Sequence, residues 1–167
     1  ALAWAVASND ADAALSLEAG GADCILLCTN TMHKVADAIT SATSLPFIHI
    51  VDALAESIQA AGIQKVGLLG TKFTMAEPFY HEKLKTYGIE VLTPDEAGQN
   101  QVNEIIFGEL CLGVIKDESK TAYLETIHSL AERGAQCIIL GCTEIGLLIS
   151  QEDLPDLPVF DTTLIHA

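Results

Sequence analysis

The sequence predicts an α/β fold with parallel sheets flanked by helices, assembled from a duplicated unit. Three observations point there. Two stretches are near copies, Gly21-Ala22-Asp23-Cys24-Ile25-Leu26-Leu27-Cys28-Thr29 and Gly134-Ala135-Gln136-Cys137-Ile138-Ile139-Leu140-Gly141-Cys142-Thr143, each a buried-strand pattern running into a Cys-Thr pair. Short apolar strands alternate with helix-length segments along the chain, the pattern of βαβ units. Half of the residues are apolar, enough for a sizeable core.

Taken in order, residues 1–19 have helical periodicity, with Leu2, Val6, Ala13, Leu15 and Leu17 apolar, and Gly20-Gly21 stops the helix. A strand over Cys24–Leu27 follows. Thr29-Asn30-Thr31 are capping residue types ahead of a helix from Met32 to Thr43. Pro46 begins a strand ending near Val51, and Asp52 is expected to cap a helix from Ala53 to Ala61. Val66–Leu69 is a strand, Met75–Tyr87 a helix and Val91-Leu92 a strand. Helices are expected from about Asn100 to Ile115 and from Asp117 to Arg133. Ile138–Leu140 is the strand leading to Cys142. A short helix over Glu144–Ser150 and a last strand after Pro158 close the chain.

The copying continues past each cysteine, into Pro46-Phe47-Ile48-His49-Ile50-Val51-Asp52 and Pro158-Val159-Phe160-Asp161-Thr162-Thr163. The spacing is too long for a solenoid repeat and fits a duplicated half-domain or domain. Two strands, Lys65–Gly70 and Ile89–Leu92, precede Cys142 without counterparts before Cys28. The first unit is therefore expected to be incomplete in this chain, by roughly 50 residues at the usual size of a βαβ unit. The division expected is 1–51 for the remaining part of the first α/β lobe and 52–167 for the second lobe with its crossing helices.

A formal net charge of −15 argues against nucleic acid as a partner, because phosphate binding needs concentrated Lys and Arg. No apolar run approaches the ~20 residues that span a bilayer. Five cysteines without C-x-x-C spacing argue against a disulfide framework and a zinc site, and place the chain in a reducing cytoplasm.

In a parallel sheet the carboxyl ends of strands are where ligands bind. Cys28 and Cys142 each sit between a strand end and a helix start, where a partial positive charge favours thiolate. Paired thiols suit a reaction that takes a proton from one face of a carbon and returns it on the other. Thr29, Asn30, Thr31, Thr143 and Glu144 are placed to cap a helix or touch a ligand. Thr71 follows a strand end and is a candidate to line the site, as are Asp161-Thr162-Thr163. Lys116 is a candidate partner for a substrate carboxylate, against the plainer reading of a solvated lysine. His33 and His166 are read as capping or satisfied core residues with an option on the cleft. Cys24, Cys111 and Cys137 are read as core.

Leu27-Cys28-Thr29-Asn30-Thr31-Met32-His33-Lys34 and Leu140-Gly141-Cys142-Thr143-Glu144-Ile145 resemble the two signature motifs of the aspartate/glutamate racemase family, nearest its aspartate racemase and broad-specificity amino-acid racemase branch. The resemblance covers essentially the whole chain. It implies two pseudo-symmetric lobes with the active site between them, no pyridoxal phosphate and no metal. It also implies a cysteine pair, here Cys28 and Cys142, that exchanges the α-proton of an amino acid. The family's opening strand and Gly-rich turn have no counterpart in this sequence. Expected partners are a small amino-acid or dicarboxylate substrate, with a homodimer allowed. The competing readings are a related enzyme of the hydantoin racemase, malonate decarboxylase or maleate isomerase type, and a non-catalytic amino-acid-binding domain.

Overall fold

The structure is a computed structural model that describes residues 2–167, with side chains from residue 10 onward; Ala1 and the apolar side chains of Leu2 and Val6 lie outside that description. Helix α1 (Leu2–Ala19) leads to strand β1 (Ile25–Leu26), which pairs in parallel with β2 (Phe47–Ile48). Cys24 lies outside β1 and is exposed, which corrects its expected place in the core. Between the strands the chain winds as a 3-10 turn over Thr31–Val35 before α2 (Ala36–Ala42), not as one helix from Met32. The tighter turn accompanies the His33 ring folding back onto the Thr29 carbonyl.

Helix α3 (Ile50–Ala60) starts three residues earlier than expected. Its cap is His49, whose Nδ1 accepts from the Val51 N–H at 3.1 Å. Asp52 instead accepts from the Tyr87 hydroxyl at 2.6 Å and pairs with Lys83 at 2.8 Å. After β3 (Lys65–Gly70), the helix expected over Met75–Tyr87 is two, α4 (Lys72–Ala76) and α5 (Pro78–Thr86). Pro78 has no N–H to continue the first and is suited to open the second. Strand β4 (Glu90–Leu92) follows.

Helix α6 (Glu96–Gly108) ends well short of Ile115. A 3-10 turn over Leu110–Leu112 and Gly113, left-handed at φ 70°, turn the chain into α7 (Asp117–Glu132). Strand β5 (Ile138–Gly141) is followed by a 3-10 turn over Ile145–Leu147, in place of the short helix expected over Glu144–Ser150, and by a second over Gln151–Asp153. The chain closes with β6 (Val159–Asp161) and α8 (Thr162–His166), which Asp161 caps.

Among the described residues the first sheet has strands β1-β2 and the second the order β4-β3-β5-β6, all pairs parallel. The chain leaves β3 toward β4 at one edge and returns to β5 on the other side. That reversal is a topological switch point, and it opens a crevice at the carboxyl ends of β3 and β5. Both faces of the second sheet are covered. On one, Leu69, Ile138 and Leu140 pack with Ile106, Tyr123 and Ile127 of α6 and α7. On the other, Val66, Leu68 and Ile139 pack with Ile50, Leu54 and Ile58 of α3 and with Tyr80 and Leu84 of α5. Strands buried on both faces explain why these segments read as unbroken apolar runs. Ala14, Ile25 and Ile39 form a smaller core beside the first sheet.

Candidate active site

Gly70 and Gly141 face each other in register at the switch point. A Cβ on Gly70 would lie 2.8 Å from the Gly141 carbonyl oxygen, and one on Gly141 2.9 Å from the Leu69 carbonyl oxygen. Glycine at both positions thus lets the strands run close, and the next residues, Thr71 and Cys142, emerge at adjacent strand ends. They line a cavity of about 210 Å³ together with Thr29, Asn30, Thr31, Thr143 and Glu144. Seven of the residues singled out from the sequence therefore meet in one place. Its opposite wall is Ile106, Phe107 and Cys111.

Cys28 is exposed and opens into a neighbouring cavity of about 160 Å³ with Leu26, Ile50, Thr163 and His166. Thr143 belongs to the walls of both cavities. Lys116 does not join them. It precedes α7, is exposed, and its Nζ pairs with Glu109 at 3.0 Å.

The Cys142 thiol is nearly buried and donates to Glu144 Oε2 at 3.0 Å; the Thr143 hydroxyl donates to the same oxygen at 2.7 Å. Burial first, and the Glu144 carboxylate second, push the Cys142 thiol up to about 12. This corrects the expectation of a thiolate at Cys142. The segment after it is a three-residue 3-10 turn, too short to supply the field of a helix, and desolvation opposes charge on sulfur. Glu144 is held below the usual carboxylate range by the Thr143 hydroxyl, with Cys142 assisting against partial burial.

Asn30 is buried and serves as a clamp. Its Nδ2 donates to Thr162 Oγ1 at 2.9 Å, its Oδ1 accepts from the Tyr80 hydroxyl at 3.0 Å, and Thr162 in turn donates to the Leu140 carbonyl at 2.8 Å. The hydroxyls of Thr31, Thr71 and Thr74 form a triangle with sides of 2.9, 3.1 and 3.2 Å. Thr71 also caps α4. These contacts fasten the turn after Cys28 to α8 and through it to β5, and to α5 and α4.

Sequence reasoning missed Cys111 and Phe107. Cys111 was placed in the core but is exposed and faces the cavity, because the helix breaks after Gly108. The flanking Gly108 and Gly113 were the available signal. Tyr80 carried none, since its partner is fixed only by packing. Among the described residues no three His, Cys, Asp or Glu side chains gather as a metal site, and no helix is long and apolar enough to cross a membrane.

The profile of the Asp/Glu/Hydantoin racemase family matches residues 3–167. The chain belongs to that family. Within it, the broad specificity amino-acid racemase RacX of Bacillus subtilis is 30% identical over 156 residues, covering 91% of this chain and 65% of RacX. A Yersinia pestis crystal structure assigned to the Asp/Glu racemases is 52% identical with a TM-score of 0.90, covering 96% of this chain and 70% of that one. An aspartate racemase homologue from Pyrococcus horikoshii OT3 is 39% identical with a TM-score of 0.83, covering 93% and 68%. This member of the racemase family thus spans about two thirds of the length of these relatives.

Proposed function

We propose that the chain carries the reacting face of an amino-acid racemase that works without pyridoxal phosphate, with Cys28 and Cys142 as its two acid–base groups. The observation that supports the reading is Thr143, which walls both cysteine cavities, so that a substrate seated against it would adjoin the cavity of each thiol. Cys28, exposed at a strand end, takes the α-proton as thiolate. The Cα–H bond breaks, an S–H bond forms, and the electron pair spreads into the substrate carboxyl. Cys142, held protonated, delivers its proton to the opposite face; its S–H bond breaks and a new Cα–H bond forms. The reverse direction exchanges the roles.

Glu144 suits the substrate ammonium. Pairing with it would release the Cys142 S–H from Glu144 Oε2 to turn toward Cα. The Thr29 hydroxyl, and the Thr143 hydroxyl once the ammonium takes Glu144, are donors suited to stabilise the carbanion, which thiols alone do not make accessible near neutral pH. A small amino acid is the substrate, and the cytoplasm the compartment.

The test is an enantiomer-resolved assay of L-amino acids in heavy water, with Cys28→Ser and Cys142→Ser variants. Both should lose racemisation, since a serine hydroxyl is too weak an acid to serve as base. Near wild-type racemisation in either variant ends the two-thiol reading. A second reading, one-thiol chemistry of the decarboxylase or isomerase kind, is favoured by the two sulfurs opening into separate cavities. It would release carbon dioxide, or need only one cysteine, without deuterium entering a recovered amino acid.

A further inference from the structure

One imidazole ties the Cys28 turn to the rest of the fold. The Thr29 N–H donates to the Leu27 carbonyl at 2.8 Å, which makes Cys28 the middle residue of a three-residue turn. The carbonyl of Thr29 itself accepts from His33 Nδ1 at 2.7 Å. On the far side of the ring, Nε2 accepts from the Ile50 N–H at 3.1 Å. A carbonyl can only accept and an amide N–H only donate, so both partners fix the same tautomer, with the proton on Nδ1 and a bare Nε2.

The ring is also held in place. It is 3% exposed and meets the rings of His49, Phe47 and His166 at centroid distances of 4.4, 5.6 and 6.1 Å. Ile50 opens α3, whose inner face packs on the second sheet. Ile50 also shares the cavity with Cys28. The imidazole therefore joins the Cys28 turn to a helix fixed by the core.

We propose that His33 is the positioning residue for Cys28: its neutral ring, held between the Thr29 carbonyl and the Ile50 amide, sets where the Cys28 thiol points. His33 touches neither cavity and acts only through the turn. A protonated ring would present N–H to N–H at Ile50 and break the strut. The groups facing it are the His49 and His166 rings and, further off, the Asp52 carboxylate; burial dominates and brings His33 down to about 4, so the strut is intact at neutral pH. The proposal rests on Cys28 being one of the two acid–base groups.

The experiment uses His33→Leu, which keeps the packing and loses both hydrogen bonds, and His33→Asn, whose amide can restore the donor to Thr29. In His33→Leu, kcat should fall by roughly 10–100-fold with KM within about twofold, since ångström-scale misplacement costs rates on that order. In heavy water the loss should fall on α-proton exchange from the enantiomer that Cys28→Ser also silences. His33→Asn should recover most of it. Iodoacetamide alkylation of Cys28, followed by mass spectrometry, reads the turn without any turnover. Its rate should change by about threefold or more in His33→Leu and return toward wild type in His33→Asn. Equal loss from both enantiomers, or an unchanged alkylation rate in a folded variant, overturns the positioning role. Racemisation surviving in Cys28→Ser overturns the assignment of Cys28 instead, whatever His33 does.

Discussion

Acid should loosen the start of α3. The first two N–H groups of this helix are received by imidazoles, Ile50 by His33 Nε2 and Val51 by His49 Nδ1, each at 3.1 Å. Both rings can accept only when neutral. Burial is the leading cause in each case, and it brings both down from 6.5 to about 4. As pH falls through 6.5 the unfolded chain takes up protons that the folded chain refuses until about pH 4. The unfolded state then binds more protons, so stability is full above about 6.5, falls across the window, and levels off below about 4.

At about 1.4 kcal/mol for each pH unit, the drop from 6.5 to about 4 amounts to about 3 kcal/mol for His33. His49 lines an open cleft beside Lys83, and solvent screening reduces its share, to roughly 1–2 kcal/mol. Asp52 and Glu144 are both held below the usual carboxylate range, so their contributions begin to be lost only toward the acid end of this window. The assay is urea unfolding followed by circular dichroism from pH 7.5 to 4.5, on wild type and His33→Gln. Wild type should lose about 3–5 kcal/mol across the window. The variant should start less stable, yet its slope should be shallower by about one proton, or about 1.4 kcal/mol per pH unit. A flat wild-type profile, or equal slopes in the two proteins, would refute the reasoning.

Two further outcomes follow from the site. Glu144→Gln removes the carboxylate that raises the Cys142 thiol, so the pH midpoint of Cys142 alkylation should move down, while KM for an amino acid should rise about tenfold or more with loss of the ammonium partner; an unmoved midpoint counts against the contact. Asn30→Leu strands the Tyr80 hydroxyl in the core and should cost about 2–4 kcal/mol in urea unfolding. Adding Tyr80→Phe should recover part of that, and strict additivity of the two changes would show that they do not share one network.

Much of the fold was legible because its signals are local. Apolar runs bounded by Gly and Pro mark strands wherever they pack, and their alternation with helices leaves parallel pairing as the economical arrangement. The two Cys-Thr pairs could be placed at strand ends for the same reason, whereas the meeting of Thr29, Asn30 and Thr31 with Thr71, Thr143 and Glu144 around Cys142 depends on how the Cys28 turn packs beside the second sheet. Pro78 was a local signal too, a helix break readable in the sequence and passed over. The limits of α3 and of the helix after Asn100 were set otherwise, by a histidine cap and by a turn at Gly113 that residue periodicity does not register.

What the sequence by itself determined is the alternation of elements and the position of Cys28 and Cys142 just past their strands. The tertiary structure alone decided the chemical state of Cys142 and the role of His33. A thiol at a strand end reads as activated when only the following residues are considered, but its ionisation depends on how much water reaches it and on the carboxylate it meets, and here both oppose charge. His33 reads as one more residue of a helix start; its partners, Thr29 and Ile50, lie on opposite sides of it in the chain and meet only when α3 docks. Desolvation and contacts between distant segments are properties of the packed chain, because they exist only once the core has closed around them.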